Sequence, residues 1–355
     1  MHKSKRKSNQ PITIGGVEVK PGERKRLELE LGRFYTYTPT TMPLQVICGR
    51  RAGPVMFVSA AIHGDELNGV EIIRRLLRVP RLDRLRGTLI AVPIVNLYGF
   101  INTSRYLPDR RDLNRSFPGS NSGSMAARIA ELFMREIVQR CTHGIDLHTG
   151  AIHRSNLPQI RANLDHAETL ELARAFGTPV ILNSEVRDGS LRASAAAVDV
   201  PILLYEAGEA LRLDELCIRG GVEGVLRVMR FLDMLGRSRR KPPQDPIIAR
   251  SSAWVRAPQS GVFRAYVGLG DRVMRDQTVL GAVSDPFGER EREIRAPFSG
   301  IVIGRLNLPL VNEGDAIFHV ARFHRTDMAV ERIEDYQESM EAEDFPWVDV
   351  PNGSG

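Results

Sequence analysis

The stretch that most constrains how this chain can fold runs from Val55 to Leu77. Val55–Val58 is an apolar run of the length of one buried strand, and residues 67–77 carry apolar side chains at helical spacing. Between them lies Ser59-Ala60-Ala61-Ile62-His63-Gly64-Asp65-Glu66. A parallel strand that feeds a helix in this way ends at the carboxyl edge of an open α/β sheet, which is where ligands bind. His63 and Glu66 stand three residues apart at that edge. Imidazole nitrogen and carboxylate oxygen are both zinc donors, and a catalytic zinc takes three protein ligands and a water. A third ligand must therefore come from elsewhere. Gly144-Ile145-Asp146-Leu147-His148-Thr149-Gly150 is a second short strand that ends in a histidine. His148 completes a His2Glu set, which is open and catalytic rather than closed and structural. Singly, His63 reads as a hydrogen-bonded histidine near a turn and Glu66 as a first-turn acid favoured by the helix dipole. Together with His148, the metal reading prevails.

Three motifs in this order and spacing carry a family resemblance: His63-Gly64-Asp65-Glu66, then Asp112-Leu113-Asn114-Arg115, then Asp146-Leu147-His148. They resemble the succinylglutamate desuccinylase/aspartoacylase family, zinc amidohydrolases on the metallocarboxypeptidase fold. The resemblance covers roughly the first two-thirds of the chain. It implies one Zn2+ per chain on His63, Glu66 and His148. It implies that Asn114 and Arg115 hold the substrate carboxylate, and that Arg105 polarises the scissile carbonyl and steadies the oxyanion. A guanidinium, which cannot lose its proton and offers a fixed donor fork, suits that task. The resemblance also implies that Glu206, at the end of a strand and just before Xaa-Gly, is the catalytic glutamate. An acid beside zinc can take a proton from water and pass it to a leaving amine. Glu209 is the rival; lying past Gly208, it reads as a first-turn or loop acid, and Glu206 is preferred.

The rest of the chain fits an α/β fold with a mixed, mainly parallel sheet flanked by helices. Residues 27–31 alternate Leu and Glu, and 43–49 is another strand, so a leading antiparallel pair is expected. Residues 87–96 form a strongly apolar strand. A long loop, 97–122, follows and carries Arg105, Arg110, Arg111 and Arg115; part of it reads as a carboxylate-binding wall, and Arg110 and Arg111 are assigned to structure or solvent. Helices are expected at 124–140 with Ser122 or Ser124 as N-cap, and at 167–176, 190–198 and 213–235, with strands at 179–182 and 201–209. His153 and Arg154 read as polar surface.

After a basic linker at 236–245 the pattern changes to short β-like runs cut by glycines. Ala-Pro-Xaa-Ser-Gly occurs at 257 and again at 296, 39 residues on. This weak duplication resembles a biotinyl/lipoyl-type barrel-sandwich hybrid. The equivalent of the modified hairpin tip, Ser284–Arg290, has no lysine, so no prosthetic group is expected there. The expected organisation is a disordered N-terminus (1–10), a catalytic domain (11–240), a small all-β domain (247–325) and an acidic tail (326–355) that is disordered apart from a short helix near 328–340.

Composition excludes several classes. Cys48, Cys141 and Cys217 are odd in number and far apart, which is no disulfide framework and fits a reducing compartment. The basic start has no apolar stretch behind it, and no apolar run reaches transmembrane length, so a cytoplasmic protein without membrane partners is expected. The net charge is +6, but the basic residues are scattered and aromatics are 6%, so no nucleic-acid partner is expected. The expected partner is a small anionic substrate; a homo-oligomer is compatible with the apolar β-domain strands. The reaction expected is hydrolysis of an N-acyl amino acid. A metallocarboxypeptidase, an esterase and a non-catalytic binding protein on the same fold are the alternatives.

Overall fold

The computed structural model describes residues 7–184, 187–237, 244–249 and 251–341. Of the segment 1–10, residues 1–6 lie outside the described residues. The next four run along the following chain: Asn9 donates its side-chain amide to Gly87 O and Thr88 Oγ1, and Ala52 N donates to Lys7 O.

The first elements are β1 (Ile12–Ile14) and β2 (Val17–Val19), a small hairpin, then β3 (Arg24–Arg33) and β4 (Pro39–Cys48), which pair antiparallel. The α/β part follows as β5 (Arg51–Ala60), α1 (Asn68–Leu76), β6 (Arg86–Val92), α2 (Leu97–Ile101), α3 (Met125–Glu136), β7 (His143–Gly150), β8 (Arg154–Ala162), α4 (Ala167–Phe176), β9 (Val180–Asn183), α5 (Leu191–Ala196), β10 (Ile202–Glu209) and α6 (Glu215–Phe231). The parallel centre is β10, β7, β5 and β6, in that order across the sheet. β8 on one side and β4 on the other run antiparallel to it.

Side chains alternate across the sheet into two apolar layers. Met56 and Val58 of β5 join Ile72, Leu172 and Leu226 of α1, α4 and α6. Phe57 between them points the other way and joins Ile129 and Phe133 of α3. Ser124 is the N-cap of α3, accepting from Ala127 N at 3.3 Å. The helix stops at Glu136, short of the expected Arg140, and a single 3-10 turn covers Val138–Arg140.

β8 is a strand the sequence hid. The segment 149–164 has a proline at 158 and polar residues at 155, 156, 159 and 161, and prolines are rare inside strands. Here Asn156 and Gln159 are buried polar residues of a central strand, so no apolar run marks it.

The C-terminal strands are β11 (Ile247–Ala249), β12 (Ser251–Arg256), β13 (Gly261–Ala265), β14 (Arg272–Val273), β15 (Val279–Ser284), β16 (Glu291–Arg295), β17 (Gly300–Leu306), β18 (Leu310–Val311) and β19 (Ala316–Arg322). The two Ala-Pro-Xaa-Ser-Gly segments occupy equivalent places, joining β12 to β13 and β16 to β17. These strands enclose their own core, with Phe263, Leu280, Val302, Ile317 and Phe318 in it. One of their sheets is β16-β15-β13-β18; the other, β12-β19-β17, continues the main sheet because β17 pairs antiparallel with β8. The hairpin tip between β15 and β16 holds exposed Phe287.

The last helix, α7 (Thr326–Glu341), buries Ala329, Ile333, Tyr336 and Met340, one stripe at helical spacing. It is longer than the short helix expected; residues 342–355 of the acidic tail lie outside the described residues. All three cysteines are buried and unbridged. Among the described residues no helix is long and apolar enough to cross a membrane.

Candidate metal centre and active site

The chain leaves β5 through Ala61, whose φ of +51° is a left-handed conformation that costs a non-glycine residue on the order of 1 kcal/mol. That turn carries His63 over the sheet edge. Gly64 is required by close approach: a Cβ there would meet the backbone of Gly99 and Phe100 at about 2 Å. α1 is then tied down by Asn68, which donates to Ala207 O at 3.1 Å and accepts from Asp214 N at 2.9 Å. β7 delivers Asp146 and His148, two residues apart, to the same face.

His63, Glu66 and His148 are brought together with one potential ligand atom each, all within 4.8 Å of one another, and all three are buried. Nδ1 of His63 lies 2.7 Å from Glu66 Oε1, and Nδ1 of His148 lies 2.7 Å from Glu66 Oε2. The opposite ring nitrogens face carboxylates: His63 Nε2 is 3.1 Å from Asp112 and His148 Nε2 is 2.7 Å from Asp146. Asp146 in turn accepts from Ser59 Oγ at 2.8 Å. A ligating histidine generally has its second nitrogen held by a carboxylate, which fixes ring orientation. The donor set therefore fits a divalent cation such as zinc. Asp112 and Asp146 were quoted within the sequence motifs without a role; the place each holds beside a histidine is visible only here.

Three carboxylates (Glu66, Asp112 and Asp146) crowd the two imidazoles. Burial opposes protonation of His63 and His148, but the carboxylates facing them outweigh it and raise both pKa values. Burial pushes Glu66 up, yet the two imidazoles hold it below the usual carboxylate range.

The other expected residues surround this centre. A cavity of ≈ 210 Å³ is lined by the three ligand candidates together with Arg105, Asn114, Arg115 and Glu206. Arg105 reaches Glu66 at 3.2 Å and Asp112 at 3.1 Å. Asn114 accepts from Leu191 N at 2.9 Å through Oδ1, which leaves its NH2 as a donor. Arg115 donates to Asn114 O. Glu206 is the Cα partner of His148 across β10 and β7, so the two side chains share a face. It accepts from Asn156 Nδ2 and lies 3.5 Å from Arg161. Glu209 lies outside this lining: it accepts from His153 N at 3.0 Å and from Asn307 Nδ2 at 2.8 Å. Arg111 is exposed and pairs with Asp109 at 3.4 Å.

Arg154, Arg161, Arg187, Arg192, Asn156 and Trp254 also line the cavity and were missed or set aside in the sequence. The described lining thus sets six guanidiniums (Arg105, Arg115, Arg154, Arg161, Arg187, Arg192) against three carboxylates (Glu66, Asp146, Glu206). Burial, with Arg161 nearby, pushes Arg192 down to about 10. Nothing local marked Asn156 and Arg161, which come from β8, or Trp254, which comes from β12.

Trp254 stacks on His319 with ring centroids 4.7 Å apart and planes at 7°. Burial, with Arg161 adding, pushes His319 from 6.5 down to about 3. Between those values the unfolded chain binds a proton that the folded chain refuses, so stability falls as pH drops below 6.5. At pH 5 the loss is about 2 kcal/mol. Unfolding of His319→Gln at pH 7.5 and pH 5 is expected to show a flatter acid slope than the parent; equal slopes would remove His319 from the account.

Residues 52–232 match the model of the succinylglutamate desuccinylase/aspartoacylase catalytic domain. The chain is 31% identical over 307 residues to the N-alpha-acetyl-L-2,4-diaminobutyric acid deacetylase of Halomonas elongata, covering 79% of this chain and 85% of that protein. It is 30% identical over 160 residues to a succinylglutamate desuccinylase of Pseudomonas aeruginosa, covering 42% and 46%. Its fold matches a product-bound structure of the ectoine utilization protein EutE (DoeB) of Ruegeria pomeroyi, with TM-score 0.78 and 23% identity over 90% of this chain and 99% of that one.

Proposed function

Because this chain belongs to the succinylglutamate desuccinylase/aspartoacylase family, we propose that it is a zinc-dependent amidohydrolase that removes an acyl group from an N-acyl amino acid or a related carboxylate-bearing small molecule. The observation that carries this is the His63–Glu66–His148 donor set in one arginine-rich cavity with Glu206. In this reading residues 11–240 are the catalytic unit and 247–325 a β-domain without a carrier lysine.

His63, Glu66 and His148 would hold the zinc ion, which when bound would supply Lewis acidity and lower the pKa of water toward neutrality. Glu206 takes the proton from the attacking water and delivers it to the departing amine. Arg105, two donors of which already face the centre, turns to the carbonyl oxygen as charge develops there. Asn114 and Arg115 grip the free carboxylate and set the register of the amide. Asp112 and Asp146 keep the imidazoles oriented.

A side-by-side assay tests this on metal-loaded protein, with N-acyl amino acids, their amides lacking the carboxylate, and short peptides. The N-acyl amino acids are expected to give the highest kcat/KM. Faster cleavage of peptide C-terminal residues would replace the reading with a carboxypeptidase. Saturable binding without turnover of any substrate would leave a binding protein. Arg115→Ala is expected to raise KM for carboxylate substrates about 10–100-fold, because a charge-assisted contact is lost. The same variant should leave KM for the neutral amides nearly unchanged.

A further inference from the structure

Strand β8, which pairs with β17 of the C-terminal strands, carries side chains that contact Glu206. Asn156 of β8 donates Nδ2 to Glu206 Oε2 and is 6% exposed. Arg161 NH2 also approaches Oε2, at 3.5 Å. Both contacts fall on one oxygen, so among the described residues Oε1 is the one left for proton transfer.

Asn156 also belongs to a row that crosses the sheet. Its Cα partner on β17 is Gly304; the partner of Gly304 on β19 is His319; the partner of His319 on β12 is Trp254. Residues in lateral register share a face of a sheet. Asn156 and Trp254 both line the cavity, and the ring of His319 fills the interval by stacking on Trp254. Gly304 is the gap in this row. A Cβ built there would stand 3.0 Å from Asn156 Oδ1 and 3.1 Å from His319 Cβ. His319 cannot retreat freely, because its ring is clamped by Trp254 and by Ser252 Oγ at 2.9 Å. The side chain with room to move is Asn156.

We propose that Asn156 is a positioning residue for Glu206 and that the C-terminal strands hold it in place, Gly304 by leaving space for its amide and His319 by walling that space. The C-terminal β unit is then part of the catalytic apparatus. The proposal rests on Glu206 being the acid–base residue. A donor on Oε2 fixes which oxygen faces the reaction, and a misplacement of about 1 Å at a reacting group can cost on the order of 100-fold.

The test is a double-mutant cycle on the full-length, metal-loaded chain: Asn156→Ala, Gly304→Ala and the pair, assayed on the best N-acyl amino acid of the panel. Asn156→Ala is expected to lower kcat about 10–100-fold and Gly304→Ala by a smaller factor, each changing KM by less than about threefold, with metal content and Tm held. Because Gly304→Ala acts through Asn156, the double variant is expected to match Asn156→Ala alone. Losses that multiply, or that appear in KM instead of kcat, overturn the proposal. Asn156→Asp, which keeps the shape and removes the donor, covers a Gly304→Ala that does not fold; an unchanged kcat in it is equally fatal. A crystal structure of Gly304→Ala gives a readout without turnover. The Asn156 amide is expected to shift by a few tenths of an ångström away from position 304 and to lengthen its contact with Glu206, and an unmoved amide refutes the relay. A parent protein that hydrolyses nothing in the panel would sink the amidohydrolase reading, while the crystal structure still decides whether Gly304 sets Asn156.

Discussion

Glu206→Gln is expected to lower kcat by about 10²–10⁴-fold or more while the protein keeps its fold and its metal. The substitution is isosteric, and a glutamine in that place can still accept from Asn156 through its carbonyl oxygen. What it removes is the capacity to hold and release a proton. Glu206 shares a face with His148 but is absent from the group of converging ligand atoms, so metal content should not change. Elemental analysis and kcat must therefore separate in this variant. Wild-type turnover at wild-type metal content would end the assignment and send the search to another proton carrier. Glu209 is a weak successor, since both its oxygens are engaged by the 153–155 segment and Asn307.

His148→Ala is expected to do the reverse: bound metal falls from about one ion per chain to almost none, and activity goes with it. Two donors remain after the substitution, and an open catalytic site uses three. A structural cost accompanies the loss. Asp146 is fully buried, and among the described residues its side-chain hydrogen-bond partners are His148, at 2.7 Å, and Ser59, which is left by itself in the variant. Breaking such a buried pair costs about 3–5 kcal/mol, so Tm should drop as well. Glu206→Gln supplies the control, because it tests the same cavity without touching a ligand. Retention of one tightly bound ion per chain in His148→Ala would mean that the ion sits elsewhere. Absence of metal from the wild type after reconstitution would move the binding-protein reading to the front.

Much of the site was legible along the chain because its parts are local. His63 and Glu66 are three residues apart on one strand-to-helix turn, and Asn114 and Arg115 are adjacent. His148 announced itself at the end of a second apolar strand. Strand-end placement follows from period and composition, so His63, Glu66 and His148 stood out together with the α/β fold that carries them, whereas the roles of Asn114, Arg115 and Arg105 came from the family resemblance. The N-cap at Ser124 was equally local. The boundaries were less so: α6 starts at Glu215 and ends at Phe231, inside the expected 213–235, because helix ends depend on what packs beside them.

The chain by itself determined that strands alternate with helices, that a His, Glu, His set ends at one sheet edge, and that a glycine-cut β region follows a basic linker. All of these are written in spacing of a few residues. Only the tertiary structure decided that β8 is a central strand, that β17 joins it to make one continuous sheet, and that Asn156, Arg161, Arg192 and Trp254 line the same cavity as His63, Glu66 and His148. It also decided that Glu206 and not Glu209 lines the cavity, although the two lie three residues apart on the same strand. The physical reason is that periodicity tells which side of a strand is buried but not which distant strand will pair with it. Register between β8, β10 and β17 is chosen by the whole packed sheet. Buried polar residues, which a functional cavity requires, erase the apolar pattern that would have revealed the strand carrying them.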